Sequence, residues 1–438
     1  MTSPAERVQR TYLLLTLLTT LAASFIWGIN TLFLLDAGLS NTEAFAANAF
    51  FALGQVIFEV PTGVVADTRG RRFSFLLGAA TLLLSTLLYL GMWQVHAPFW
   101  GWAVSSALLG LGFTFFSGAT EAWLVDALHA TDYRGSLEAV FGRAQTVAGV
   151  AMLGGSVAGG IIAQATNLGV PYIVRAAMLG VTLVVAWWFM RDLGFTPQQD
   201  ASPVKAVRTV LRGSIDAGFR NPPVRWLMLA GPFGAGVGFY VFYAMQPYLL
   251  ELYGDETAYG VAGLAAAMVA GAQIVGGLIA PWARRLFRRR TDALILGIVV
   301  DVVLLAVISL TTSFAIALVL LAIWCLTFAV QSPMRQAFVN GLIPSAQRAT
   351  VLSFDNLMGS AGGVVAQPLL GRVADVNGYA ASYLVSSAIQ ALSLPFVILA
   401  RRERAPSDPI TDGEEPMTSR PGTGAPPPPP PPPRSPAG

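Results

Sequence analysis

Long apolar runs alternate with short polar connections along almost the whole chain. Runs of about 20 or more mostly apolar residues, the length a helix needs to cross a bilayer, fall at 12–35, 43–66, 73–94, 98–128, 138–164, 170–190, 225–250, 257–281, 291–311, 313–341, 348–374 and 378–400. They predict twelve membrane-spanning helices, here spans 1–12. Period-2 alternation is absent, and open strands in lipid would leave backbone groups unpaired, so the expected fold is an all-α polytopic membrane protein. Arg7 and Arg10 precede an apolar run that continues to about residue 35. That run is too long for a signal-peptide core and reads as a retained first helix.

The arginines fall on one side. Connections after even-numbered spans carry Arg69, Arg71 and Arg72; Arg134; Arg191, Lys205, Arg208, Arg212 and Arg220; Arg284, Arg285, Arg288, Arg289 and Arg290; and Arg348. Connections after odd-numbered spans carry none. The positive-inside rule then puts both termini in the cytoplasm, with the protein in the cell membrane.

Composition agrees. Of 438 residues, 54% are hydrophobic and 12% charged, and the mean hydropathy is +0.60, which places the chain among membrane proteins. A net charge of +3 is too small to suggest a nucleic-acid partner. The single cysteine, Cys325, excludes an intrachain disulfide, and two histidines leave little for a metal. No nucleophile–base pair, phosphate loop or metal-spaced cluster appears, so neither an enzyme nor a cofactor is expected.

The expected organisation is a six-helix bundle at 1–190, a cytoplasmic linker at 191–224, a second bundle at 225–400 and a tail at 401–438. In the linker, Val204, Val207, Leu211 and Ile215 form one helical stripe and Lys205, Arg208 and Arg212 another. That is a helix on the anionic inner leaflet or a solvated linker helix. The tail ends in eight prolines, 426–433, and is expected to be disordered or polyproline II.

The halves repeat. A shift of 214 residues lays "GVVADTRGRRF" at 63–73 on "GLIAPWARRLF" at 277–287, matching Gly63, Ala66, Arg71 and Phe73 with Gly277, Ala280, Arg285 and Phe287. It also pairs Arg134 with Arg348, Glu59 with Gln273, Glu121 with Arg335 and Asp126 with Asn340. Two pseudosymmetric six-helix halves are a transporter architecture.

Gly63, Asp67, Gly70, Arg71 and Arg72, between spans 2 and 3, form a Gly-x-x-x-Asp-x-x-Gly-Arg-Arg motif. On it the chain resembles the major facilitator superfamily over residues 10–400. The resemblance implies a cytoplasmic lock in which Asp67 accepts hydrogen bonds from the N-terminus of span 11 and Arg71 reaches Asp126. The alternative is that these arginines only set topology. The second copy has Pro281 and Asn340 where the first has Asp67 and Asp126. A weaker likeness is to the drug–proton antiporter branch. Ala151, Gly155, Ser156, Gly159 and Gly160 stand where that branch has a Gly-Pro pattern, and small residues for close packing explain them as well. Gly110-Leu111-Gly112 is present, but Ser106 holds the branch's arginine position.

The superfamily resemblance implies a cavity lined by spans 1, 4, 7 and 10. Stripes at helical spacing there contain Ser24, Trp27 and Thr31, with Asn30 adjacent; Phe113, Ser117 and Glu121; Phe239, Tyr243 and Gln246; and Trp324, Phe328, Gln331 and Arg335. Many rings and few charges suit a bulky lipophilic or amphipathic molecule. Charges inside a membrane are costly and point to function or pairing. Glu121 and Arg335 are the expected proton-coupling pair, a static ion pair being the alternative; Glu59 and Asp301 are further candidates, and the sequence offers no account of Asp301. Arg143, Arg175 and Asp355 lie near span ends, where snorkelling or a local partner is expected. The functional expectation is a monomeric secondary transporter working by alternating access. Its partners are the lipid bilayer, a small-molecule substrate and protons, with efflux of lipophilic compounds. A nutrient importer or a non-transporting membrane sensor are the alternatives.

Overall fold

In a computed structural model, the structure describes residues 3–197, 218–343 and 348–410, together with Arg212. The expected linker stripes around 204–215 and the proline run at 426–433 lie outside the described residues, Arg212 apart.

Span 1 comprises Pro4–Trp27 and Asn30–Asp36, and span 2 is Asn41–Arg69. Span 3 is Arg71–Gln94, and span 4 comprises Phe99–Thr114 and Ala119–His129. Spans 5 and 6 are Leu137–Ala165 and Gly169–Phe189. Spans 7–10 are Pro222–Tyr253, Tyr259–Arg284, Arg290–Leu310 and Phe314–Asn340. Spans 11 and 12 follow from Arg348–Ala391, which turns at Gly378 with φ of 82°, and Leu394–Arg402 completes span 12.

Local chemistry sets several of these ends. Ser3 with Glu6 and Ser40 with Glu43 form capping boxes that satisfy free N–H groups at the starts of spans 1 and 2. Spans 2 and 3 are separated by Gly70 alone, whose φ of 105° suits a residue without Cβ.

Packing respects the repeat. Span 1 lies against span 5 and span 7 against span 11; span 2 packs on span 4 and span 8 on span 10. Between the halves, span 2 meets span 11 and span 5 meets span 8. The periphery is apolar, with Leu84, Leu87, Leu278 and Val303 exposed. Trp187, Trp188 and Trp282 stand out at the arginine-rich ends and Trp100 at the opposite face, the levels at which amphipathic rings favour a membrane interface.

The apolar pattern reads spans 1, 4 and 12 as continuous, yet each is broken. In span 1 the break at Gly28 and Ile29 frees backbone groups, and an apolar side chain of the sequence window gives no hint of their partner. That partner comes from the other half of the molecule.

Candidate functional site

On the arginine-poor face the halves are joined. Gln246 of span 7 inserts its amide into the break in span 1. Its Oε1 accepts from the Thr31 N–H at 3.0 Å and its Nε2 donates to the Trp27 carbonyl at 2.8 Å. These are the two groups that an unbroken helix would pair with each other, four residues apart. Gln246 is therefore a fully buried inter-half clasp rather than the cavity-lining group expected from its stripe.

A second clasp joins spans 2 and 11. The Asp375 carboxylate accepts from the backbone N–H groups of Asn41 at 2.9 Å and Thr42 at 2.8 Å, and from the Thr42 hydroxyl at 2.5 Å. An anion at a helix N-terminus meets both free donors and the positive end of the helix dipole. The Tyr379 hydroxyl also donates to the Asn41 side chain. Small residues let the backbones close in: a Cβ on Gly263 would stand 2.6 Å from the Ser156 carbonyl, and one on Gly28 would stand 2.8 Å from the Gly263 Cα.

On the arginine-rich face the halves part. A cleft of about 390 Å³ runs between Gln55, Glu59 and Val60 of span 2 and Ser353, Phe354 and Ser360 of span 11. A Cβ on Gly63 would meet nothing within 4 Å. Arg71 donates to Asp67 at 2.5 Å and stands 3.9 Å from Asp126, so the cluster holds together within one half. Among the described residues Asp67 makes no polar contact with span 11. The opposite half is parted from it here, and Arg71 takes its carboxylate instead.

Between these faces lies a cavity of about 530 Å³. Trp27, Asn30, Phe113, Phe239, Tyr243, Trp324 and Phe328 line it, as their stripes suggest. Asn48, Phe51 and Gln55 of span 2, with Arg175 of span 6, also line it and were not anticipated. Asn48 and Gln55 are two helical turns apart with Phe51 between them, a polar–aromatic stripe that was there to be read. Ser24 is buried and donates to the Thr20 carbonyl.

Two flanking clefts share lining residues with this cavity. One, of about 500 Å³ in the first half, holds Glu59, Ser117 and Glu121, with the Ser117 hydroxyl donating to Glu59 at 2.6 Å. The unwound turn ending at Gly118, φ 66°, restarts span 4 and lets Glu121 face this cleft while Asp126 faces Arg71. The other, of about 620 Å³ in the second half, holds Asp301, Gln331, Arg335 and Asp355. Asp301 is buried and accepts from Thr327 Oγ1 at 2.6 Å and Gln331 Nε2 at 2.8 Å, which accounts for a charge the sequence left unexplained. Gln331 and Ser117 thus serve carboxylates in the clefts rather than lining the central cavity.

Glu121 and Arg335 are not brought together: they line different clefts. Arg335 is held by Asp355 in a two-pronged pair, with Nη2 to Oδ1 at 2.6 Å and Nη1 to Oδ2. Asp355 lies on neighbouring span 11, so the local carboxylate takes the guanidinium. Arg175 does not snorkel. It is buried, and donates from Nε to Thr86 Oγ1 at 3.0 Å and from Nη1 to the Ala22 carbonyl at 3.1 Å.

The family model of the Major Facilitator Superfamily matches residues 12–365, with a second match at 261–434. The chain belongs to the major facilitator superfamily. As a superfamily member it is a multi-pass membrane protein. An uncharacterized MFS-type transporter of Methanocaldococcus jannaschii is 22% identical over 196 residues, 44% of this chain and 48% of that protein, so the match spans about half the length of the curated relative. The nucleoside transporter NupG superposes with a TM-score of 0.75 at 9% identity, covering 90% of this chain and 99% of that one. The POT family transporter PepTSo gives 0.71 at 12% identity, covering 92% and 99%. A bacterial homolog of the human lysosomal transporter Spinster, inward-facing and occupied, gives 0.69 at 14% identity, covering 92% and 98%. These likenesses are of fold. In this superfamily member Ser106 is buried and bonded to the Tyr89 hydroxyl at 2.5 Å, and Gly160 abuts the backbone of Tyr259 and Gly263.

Proposed function

We propose that this transporter works by alternating access as a proton-coupled exporter of lipophilic or amphipathic small molecules, in the manner of the drug–proton antiporters. The observation that carries the reading is the central cavity. It is rich in rings, clasped shut on the arginine-poor face, and adjoins clefts that carry Glu59, Glu121 and Asp301 on the way to the arginine-rich face. We take the arginine-rich face as cytoplasmic. On this reading the protein works as a monomer in the cell membrane, with its cavity turned toward the cytoplasm.

Coupling requires that a proton distinguish the two states. Glu121 meets this requirement if its cleft closes when the halves rock together, because burial favours the neutral carboxyl. Purified protein in liposomes, its orientation set by labelling a cysteine at 69 in a Cys325→Ser background, should move lipophilic compounds against their gradient when a pH gradient is imposed. Glu121→Gln should lose that accumulation and keep downhill exchange. Accumulation in Glu121→Gln that follows the pH gradient as in the parent would sink the role of Glu121 and pass it to Asp301 or Glu59. Movement of nutrients rather than lipophilic compounds would favour uptake.

The Asp67–Arg71–Asp126 cluster is the cytoplasmic lock of this cycle. Arg71 already bridges the two carboxylates, which leaves Asp67 poised to accept from span 11 on closure. Arg71→Ala and Asp126→Ala should each slow flux about tenfold or more, the loss of one charge-assisted contact, while membrane insertion stays intact. Exchanging the two charges should recover part of the rate. Parental flux in both single variants would exclude the lock.

A further inference from the structure

The polar groups of the central cavity are mismatched in one direction. Arg175 is the one charged residue among those lining it, and it is 2% exposed. Its contacts are a threonine hydroxyl and a backbone carbonyl, and among the described residues no carboxylate comes within ion-pairing distance. A buried guanidinium without a counter-charge is costly. Two further donors that line the cavity are also unmet, one in each half. Asn48 Nδ2 and Trp324 Nε1 are buried and find no acceptor in the protein. Asn48 is turned this way because its Oδ1 is taken by Asn30 Nδ2 at 2.8 Å, while Tyr172 donates to the other end of Asn30 at 3.0 Å.

Around these donors the cavity is mostly apolar, with Gln55, Gln273 and Tyr243 as its further polar side chains: Trp27, Phe51, Phe113, Phe239, Phe242 and Phe328 contribute rings. The carboxylates Glu59, Glu121, Asp301 and Asp355 line the flanking clefts and none lines this cavity. A cation seated here would face Arg175 with nothing to offset it. A neutral molecule would leave the guanidinium unpaired. We infer that the central cavity takes a lipophilic organic anion, its carboxylate or sulfonate meeting Arg175 and Asn48 in the first half and its apolar body lying among the rings, Trp324 of the second half included. This inference rests on the lipophilic-exporter reading and narrows its substrate class. Export of such an anion also runs with an interior-negative membrane potential. Arg175 is then a binding residue, and its bonds to spans 1 and 3 hold it in place for the ligand.

The test is calorimetric titration of the purified full-length chain with three naphthyl compounds of one shape: 2-naphthoate, 2-naphthalenemethanol and 2-naphthylmethylammonium. The anion should bind at least about tenfold more tightly than the alcohol, the gain of one charge-assisted contact, and the ammonium more weakly than either. Arg175→Gln should reduce naphthoate to the affinity of the alcohol while leaving the alcohol unchanged, an outcome that a merely structural arginine would not produce. Arg175→Lys should keep part of the preference, and it decides the matter together with the parent series if the glutamine variant does not fold. Asn48→Ala should weaken the anion severalfold and spare the alcohol. Equal binding of alcohol or ammonium and anion, or an undiminished preference in Arg175→Gln, would overturn the anion site and leave the lipophilic reading standing. Failure of all three to bind would remove both.

Discussion

Gln246→Leu is expected to open the arginine-poor face. The substitution keeps the volume of the side chain and removes both ends of the clasp, so the Trp27 carbonyl and the Thr31 N–H lose their partners in a buried setting. Each unmet buried group costs about 1–3 kcal/mol. Either group recovers a partner if the halves separate there and admit water. The closed face should therefore be disfavoured by more than about tenfold. Spin labels on cysteines replacing His96 and Thr312, exposed positions on that face in opposite halves, report the change in a Cys325→Ser background. The parent should give one short distance and Gln246→Leu a dominant longer one. Gln246→Glu should fall between, since a carboxylate still accepts from Thr31 but cannot donate to Trp27. A parental distance distribution in Gln246→Leu would show that the clasp is incidental to closure.

The second large effect concerns Arg335. Asp355 has a side chain 5% exposed, and Arg335 binds it with both Nη groups while also donating to the Leu227 carbonyl at 3.3 Å. Arg335→Ala leaves a buried carboxylate uncompensated, at a cost of about 3–5 kcal/mol. The unfolding midpoint in detergent should fall accordingly. Replacing both members, as Arg335→Leu with Asp355→Leu, should restore most of it, because no charge then remains to be paired. Glu121→Gln should leave the midpoint where it was, since Glu121 lies in the other half's cleft. Parental stability in Arg335→Ala would mean that Asp355 is not held by this pair.

Much of the architecture was legible because a bilayer permits few solutions. A run of about 20 apolar residues must be a helix there, whatever it packs against. The break in span 1 was not legible, because Gly28 and Ile29 sit in an apolar run and their freed backbone groups are met by a residue more than 200 positions away. Span 4 hid its break in the same way: Ser117 and Gly118 look ordinary until φ of 66° at Gly118 turns Glu121 toward its cleft. The stripes on spans 1, 4, 7 and 10 found seven of the cavity's residues, since helical spacing places them on one face. They missed Arg175 and Asn48, which enter from spans 6 and 2, outside the four that the resemblance pointed to.

The sequence by itself determined what the solvent dictates: the number of spans, their helical form, the one-sided arginines and a repeat that makes two like halves. Each follows from residue type and spacing, quantities local to a stretch of chain. Partnership is not local. That Arg335 answers Asp355 rather than Glu121, that Asp301 is met by Thr327 and Gln331, and that Gln246 joins the two halves instead of lining a cavity were decided only by the tertiary structure. A charged or amide group must pair with whatever packing brings within about 3 Å, and the periodicity of one helix does not say which face of another will be there.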